Sequence, residues 1–220
     1  MAKLTFELFD LEKSIAGKYI SSFNYPWEIL SQTSYIIEQI ASQLDMSKFN
    51  ERSKGIWIAN NATISPSAEI IAPCIIDENA TLRHSAFIRG NAIIGKNTTI
   101  GNCVEIKNSI IFDFAEVPHF NYVGDSILGY KAHLGGGTIT SNVKIDKSNV
   151  KVSLSSTIID SGMMKLGAMI ADCAEVGSNC VLNPGCIISR RSRVYPLCSV
   201  RGFIPPDSIL KDKNTLSQLK

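Results

Sequence analysis

Two basic residues in this sequence have a spacing that could serve anion binding. Arg89 and Lys107 each follow an isoleucine and are separated by three hexads of a six-residue repeat described below. In a chain that completes one coil every three hexads, both would lie on the same edge of adjacent turns, about 5 Å apart at the backbone. Two like charges at that separation repel each other by roughly 1 kcal/mol in water. A bound anion such as a phosphate would relieve the repulsion. The alternative is that both side chains extend into solvent.

A histidine with possible acid–base function lies in a segment that also contains a tyrosine and three consecutive glycines. These residues are His119, Tyr122 and Gly135 to Gly137. An imidazole with an unperturbed pKa of about 6.5 can accept a proton from an amine or a hydroxyl at neutral pH. A single histidine also fits an ordinary surface role, and the glycines also fit a tight corner. His119 is therefore a candidate general base on this reasoning.

A six-residue repeat organises most of the chain. Nine large apolar residues recur at a spacing of six from Ile58 to Ile106, Phe112 extends the series, and a second run leads from Ile170 to Val200. A mostly small residue follows four positions after each of them. This period matches neither a helix nor a simple alternating strand, but it is typical of a solenoid in which each hexad forms a short strand and a corner. The repeat predicts an all-β solenoid with the aliphatic residues inside and glycines such as Gly95 at its corners.

The composition agrees with a β-rich globular chain. The 220 residues include 30 Ile, 45% are hydrophobic and 19% are charged, which argues against disorder. The net charge of +2 gives no electrostatic reason to expect a nucleic acid partner. Four of the six cysteines occupy the small-residue position of the hexad, so we expect them to be buried rather than to form disulfides or bind metal: Cys74, Cys180, Cys186 and Cys198. The histidines and cysteines lack the spacing of metal ligands.

The repeat also divides the chain into three segments. Residues 1–52 lack the hexad and predict an N-terminal helical segment, with one helix from Pro26 to about Leu44. Residues 53–202 form the predicted β-helix, from which a loop, residues 140–163, is extruded. Residues 203–220 form a C-terminal tail, for which we expect a loop and a short helix. No signal peptide or membrane span is recognisable, so a cytoplasmic location is expected.

The hexads resemble those of the left-handed β-helix, or hexapeptide-repeat, acyltransferase superfamily. The segment from Val117 to Asn142, with its His-x-x-Tyr-Val-Gly-Asp run and its Gly-Gly-Gly-Thr-Ile-Thr-Ser-Asn run, is similar to the acetyltransferase domain of one family in it. That family is the bifunctional N-acetylglucosamine-1-phosphate uridyltransferase/glucosamine-1-phosphate acetyltransferase. The resemblance implies a left-handed parallel β-helix, a homotrimer with active sites between neighbouring coils, acetyl-CoA as co-substrate and an amino-sugar phosphate as acceptor.

The same resemblance assigns roles to individual residues. It implies that His119 is the catalytic base that deprotonates the sugar amine. It also implies that Arg89, Lys107 and Tyr122 hold the sugar phosphate and that Asn142 is a further substrate-binding residue. Gly136 and Ser178 are implied to contact acetyl-CoA. The sequence departs from the family pattern at Gly136, where alanine is usual, at His133, where asparagine is usual, and in the loop, where Lys144, Lys147 and Lys151 are all possible counterparts of the family's lysine.

The sequence therefore favours a CoA-dependent acyltransferase that N-acetylates glucosamine-1-phosphate or a related amino-sugar phosphate. Two alternatives remain open: an acyltransferase for another amino sugar or a hydroxyl acceptor, and a non-catalytic trimer that binds sugar phosphates. Nucleotidyltransferase activity is not expected, because residues 1–57 contain nothing similar to that family's phosphate-binding loop.

Overall fold

The computed structural model describes residues 3–155, 157–212 and 215–219. Its first part is helical, with α1 (Leu4–Leu8), α2 (Gly17–Ile20), α3 (Thr33–Ala41) and two 3-10 helices, Leu11–Lys13 and Pro26–Ser31. The single helix predicted from Pro26 is thus divided in two, because Gln32 has a φ of −120° and leaves the helical region. Trp27, Ile37 and Ile40 of this segment are all buried.

The rest of the described chain forms a parallel β-solenoid, as the hexad repeat predicts. Its strands lie in three sheets. The first sheet contains β1 (Phe49–Ser53), β2 (Ile56–Ala59), β5 (Cys74–Ile76), β8 (Ala92–Ile94), β11 (Ser109–Ile111), β14 (Ile127–Leu128), β19 (Met169–Ile170), β22 (Ile187–Ile188) and β25 (Phe203–Ile204). The second contains β3 (Thr63–Ile64), β6 (Thr81–Leu82), β9 (Thr99–Ile100), β12 (Glu116–Val117), β15 (His133–Leu134), β20 (Glu175–Val176), β23 (Arg193–Val194), β26 (Ser208–Asp212) and β27 (Thr215–Gln218). The third contains β4 (Glu69–Ile70), β7 (Phe87–Ile88), β10 (Glu105–Lys107), β13 (Tyr122–Gly124), β16 (Ile139–Thr140), β21 (Val181–Leu182) and β24 (Ser199–Val200).

The repeat length changes in the middle of the solenoid. Ile76 lies opposite Ile94, three full hexads later, whereas Ile94 lies opposite Ile111, one position short of that spacing. Ile111 therefore belongs to the inner core, and the prediction that Phe112 continues the inward series is wrong. Phe112 instead packs outside the coil against Phe9, with ring centroids 5.3 Å apart. Because this coil is one residue shorter, the side chain of Phe112 packs against the helical segment and not in the solenoid interior.

The glycines that follow the inward residues were expected to allow the corner conformation of the backbone, but the structure gives them another role. The left-handed backbone of the corners falls two residues further on, for example at Asn97 with a φ of +55° and Cys103 with +54°. A Cβ at Gly95 would lie 2.7 Å from the backbone nitrogen of Asp113 in the next coil. These glycines are therefore required by the close approach of successive coils and not by their own φ.

All four cysteines assigned to the small-residue position of the hexad are buried, as predicted, whereas Ala62 and Ala68 in the first coil are only partly buried. Burial raises the pKa of both Cys74 and Cys186 to about 12, because the apolar interior disfavours a thiolate. These two thiols are thus structural groups of the core.

Two segments leave the coil. The segment extruded after β16 contains an antiparallel hairpin, β17 (Lys151–Ser153) and β18 (Ile158–Asp160). The short helix predicted for the C-terminal tail is wrong: β25 and β26 continue the parallel ladders, and β27 turns back to pair with β26. The helical segment is anchored on the solenoid by Asp172, whose Oδ2 accepts a 2.6 Å hydrogen bond from the backbone of Asp10.

Candidate functional site

The His119 side chain is held by the coil before it. Its Nδ1 lies 2.6 Å from Oδ1 of Asn102. Because an amide oxygen only accepts hydrogen bonds, this orientation of the Asn102 amide assigns the proton of the neutral ring to Nδ1 and makes Nε2 the acceptor. The backbone oxygen of His119 accepts a 2.9 Å hydrogen bond from the nitrogen of Gly137 in the next coil, which fixes the turn. The sequence alone did not single out Asn102, although it lies one coil before the histidine.

Gly136 lies directly against His119. A Cβ at Gly136 would be 3.4 Å from the His119 backbone oxygen and 3.9 Å from its Cδ2. Within the described residues, the backbone N–H of Gly136 makes no hydrogen bond, and its carbonyl accepts one of 2.9 Å from Asn179. The exposed Ser178 is in the coil above, where its nitrogen would be 2.4 Å from a Cβ on Gly135. The structure therefore brings together three of the predicted residues: His119, Gly136 and Ser178.

Arg89 and Lys107 lie on adjacent coils, as their spacing predicts, because Ile106 pairs with Ile88. The expectation that their charges repel without compensation is wrong, since each has its own carboxylate. Arg89 Nη1 is 2.5 Å from Glu105 Oε1, which raises the pKa of the guanidinium by hydrogen bonding and by charge. Lys107 Nζ is 3.0 Å from Asp125 Oδ2. An anion bound here would share these cations with two acids.

Asp125 connects the remaining predicted residues. Its side chain is only 4% exposed, and it accepts hydrogen bonds from Asn108 Nδ2 at 2.7 Å and Asn142 Nδ2 at 2.5 Å. The Asn142 amide also donates to the Tyr122 hydroxyl at 3.1 Å. Burial, followed by the negative charge of Asp125, raises the pKa of Tyr122. Lys107, Tyr122 and Asn142 therefore form one network, whose central carboxylate we had not identified from the sequence.

The two groups of residues lie at opposite ends of one short strand. His119 precedes β13 and Asp125 follows it, six residues later. At about 3.3 Å per residue, the two backbones are at most roughly 20 Å apart. Tyr122 starts the strand, and its hydroxyl reaches the Asn142 amide at the far end. The face of the third sheet thus has a proton acceptor at one edge and cations at the other.

His133 lies on the neighbouring face. Its Nδ1 is 3.0 Å from Glu116 Oε2, and the two residues are paired across adjacent strands of the second sheet. Of the three loop lysines, Lys144 is paired with Asp146 at 3.3 Å, within the extruded segment. Neither contact joins these residues to the His119 group.

The described residues contain no cluster of histidine, cysteine and acidic side chains that could hold a metal ion. In the same part of the chain, none of the helices has the length and apolarity needed to cross a membrane.

Comparison with known proteins shows what the chain is similar to. The family model described as GMPPB C-terminal domain matches residues 70–165. Bifunctional protein GlmU from Methanococcus maripaludis (strain DSM 14266) is 34% identical over 200 residues, which cover 90% of this chain and 48% of that protein. The bifunctional sugar-1-phosphate nucleotidylyltransferase/acetyltransferase from Sulfurisphaera tokodaii is 29% identical over 181 residues, or 81% of this chain and 45% of that protein. The chain therefore spans about half the length of the relatives it matches.

Among solved structures, a hexapeptide transferase family protein from Anaplasma phagocytophilum aligns over 76% of this chain and 81% of its own. The TM-score is 0.42 and the sequence identity is 16%. The chain is a three-sheet β-solenoid built from hexads, and over about half of their length it is similar to the bifunctional GlmU-type proteins.

Proposed function

We propose that this chain is an acetyl-CoA-dependent acyltransferase that N-acetylates an amino-sugar phosphate, with glucosamine-1-phosphate as the leading acceptor. The observation that carries the proposal is the pairing of His119 with Gly136. His119, whose Nδ1 is bonded to Asn102, and Gly136, whose N–H has no partner in the described chain, lie on adjacent coils, and a Cβ at Gly136 would be 3.9 Å from His119 Cδ2. Acyl transfer needs a proton acceptor beside a hydrogen-bond donor for the oxyanion.

The proposed reaction follows from these two groups. The sugar amine attacks the thioester carbonyl carbon and gives up a proton to Nε2 of His119. The carbonyl oxygen becomes an oxyanion, which the Gly136 N–H stabilises. The tetrahedral intermediate then expels the CoA thiolate, and His119 returns the proton to the sulfur. Ser178, one coil above, would contact CoA.

The network around Asp125 supports the placement of the acceptor. In the proposal, Arg89, Lys107 and Tyr122 bind the sugar phosphate and Asn142 contacts the sugar. Holding the amine against the acyl carbon would then contribute through orientation. A homotrimer and a cytoplasmic location are also part of the proposal, and light scattering on purified protein tests the trimer.

A thiol-release assay tests the function. We expect CoA release from acetyl-CoA with glucosamine-1-phosphate, and a loss of about 100-fold or more in His119→Ala, as for removal of a general base. Circular dichroism of the variant shows whether the solenoid is intact. If no acceptor in a panel of amino-sugar phosphates releases CoA above background from the wild type, the proposal is wrong.

A second candidate is favoured by one observation. Glu105 and Asp125 already neutralise the cations expected to bind phosphate. An acceptor without a phosphate, such as a free amino sugar or a hydroxyl, would leave both ion pairs in place. Glucosamine in the same assay separates the two: a higher kcat/KM with glucosamine than with its 1-phosphate favours the second candidate.

A further inference from the structure

A small cleft lies on the opposite side of His119 from Gly136. Its volume is about 220 Å³, and its lining consists of Arg83, Thr99, Gly101, Glu116, Pro118 and His119. Since a water molecule takes up about 30 Å³ of the liquid, the cleft has room for several atoms beyond the methyl group of an acetyl unit.

The solenoid itself builds this cleft. Arg83, Gly101 and Pro118 each follow the last residue of a strand in the second sheet, so they lie in one column on successive coils. Gly101 has no side chain, and a Cβ there would lie 2.1 Å from the Pro118 oxygen. No side chain therefore projects from this position between Arg83 and His119. The position of Arg83 directly after Leu82 matches that of Arg89 after Ile88, a signal that the sequence contains.

The guanidinium of Arg83 is available for a ligand. Within the described residues it makes no hydrogen bond or ion pair, although Arg191 and Arg193 are both paired with carboxylates. The carboxylate in the cleft, Glu116, is paired with His133. A guanidinium that has no partner in the described chain and lies in a cleft beside a candidate base can bind an anionic group of a ligand.

The direction of the cleft identifies which part of a substrate would enter it. In the proposed function, on which this inference rests, the thioester carbonyl lies at Gly136 and CoA continues upward past Ser178. The acyl chain then leaves the carbonyl in the opposite direction, past His119 and over Gly101 towards Arg83. At about 4.8 Å per coil, Arg83 and His119 are about 10 Å apart at the backbone, a gap that a four-carbon acyl group and an arginine side chain can close.

We propose that the acyl-donor site extends through this cleft to Arg83 and accepts short acyl-CoA thioesters that end in a carboxylate, such as succinyl-CoA. The reaction is unchanged: the amine nitrogen bonds to the thioester carbon, the carbon–sulfur bond breaks, and the amine proton passes through His119 to the thiolate. The terminal carboxylate takes no part in bond making and only pairs with Arg83.

The test compares three donors, acetyl-, butyryl- and succinyl-CoA, in wild type, in Arg83→Gln and in the matched control Arg52→Gln. Arg52 is an exposed arginine on β1 that does not line the cleft. We expect wild type to prefer succinyl- over butyryl-CoA, and Arg83→Gln to lower that ratio of kcat/KM by about fivefold, as for a partly exposed ion pair. Acetyl-CoA use should be unchanged, as should all three rates in the control. A wild type that uses acetyl- but not succinyl-CoA would overturn the inference and leave the proposed function intact.

A binding measurement keeps the two proposals separate. Unreactive thioethers of CoA with a butyl or a 3-carboxypropyl group can be titrated calorimetrically without any turnover. We expect the carboxypropyl compound to bind about fivefold more tightly than the butyl one in wild type and equally in Arg83→Gln. Equal affinities in wild type would overturn the subsite. A preference that persists without CoA release from any donor would instead contradict the proposed function alone.

Discussion

The contact between His119 and Asn102 makes the sharpest prediction about the candidate site. The 2.6 Å hydrogen bond to Oδ1 holds the ring and keeps the proton on Nδ1. Asn102→Ala removes this acceptor, so Nδ1 and Nε2 compete for the proton and the ring becomes free to turn. The net value of such a hydrogen bond is about 1 kcal/mol, and the added freedom of the ring raises the expected cost to about 1.4 kcal/mol, or a tenfold loss of kcat/KM.

The thiol-release assay measures this effect, and Asn102→Asp supplies the matched control. Aspartate has the same length and keeps an acceptor oxygen at the same place, so it should retain more activity than alanine. It also distinguishes the two possible orientations of the asparagine amide, because a carboxylate can replace an accepting oxygen but not a donating nitrogen. Wild-type activity in Asn102→Ala, or equal losses in the two variants, would refute the assignment of Asn102 as a positioning residue.

Three further predictions concern the scaffold. Gly101→Ala places a Cβ 2.1 Å from the Pro118 carbonyl oxygen, so the free energy of unfolding should fall by about 1–3 kcal/mol; an unchanged melting temperature would contradict the close approach of the coils. Burial raises the pKa of Asp113 from 3.8 to about 6, so the folded state becomes less stable as the pH rises from 4 to 6. Urea unfolding at pH 4 and pH 7 measures this decrease in the free energy of unfolding, and it should be smaller by about 1 kcal/mol in Asp113→Asn. Cys103 and Cys173 are exposed and should react with a thiol reagent in the native protein, whereas labelling of any of the other four before denaturation would contradict their burial: Cys74, Cys180, Cys186 and Cys198.

The repeat made most of the fold predictable. A large aliphatic every six residues can be buried continuously only if each hexad turns a corner, so the inner rows follow from the sequence pattern. The number of three hexads per coil is what the resemblance to the hexapeptide-repeat superfamily implies. The shortening of two successive coils by one position each could not be predicted, because Ile111 and Phe112 are adjacent and both apolar. Which of the two faces inward depends on whether the helical segment offers Phe9 as an outer partner.

In the C-terminal tail the sequence pattern predicts too short a solenoid. Its hexads are interrupted by Pro205 and Pro206, and that interruption predicts that the solenoid ends there. In the structure the last coil becomes shorter than three hexads, and Ile204 and Leu210 still lie opposite Ile188 and Val194. A shortened corner keeps the ladder hydrogen bonds, which the spacing of apolar residues alone does not reveal.

The sequence predicts which residues of the candidate site lie on adjacent coils. It does not predict the hydrogen bonds and ion pairs that their side chains make. The spacing of Arg89 and Lys107 placed them on adjacent coils. It could not reveal that Glu105 and Asp125 neutralise them, because each of these acids is distant in the sequence from its cation and meets it only through the coil geometry. The repulsion that first suggested an anion is therefore absent, and any affinity for phosphate must come from competition with these carboxylates.

The register of the third sheet explains why Asp125 can occupy the centre of the network. In the ladder Lys107 lies opposite Gly124, so no side chain in the next coil covers the lysine. Asp125 follows at the corner with a φ of +49°, and its backbone nitrogen donates to the Lys107 oxygen at 3.0 Å. The absence of a side chain at Gly124 and the corner position of Asp125 thus allow a single buried carboxylate to join Lys107 and Asn142.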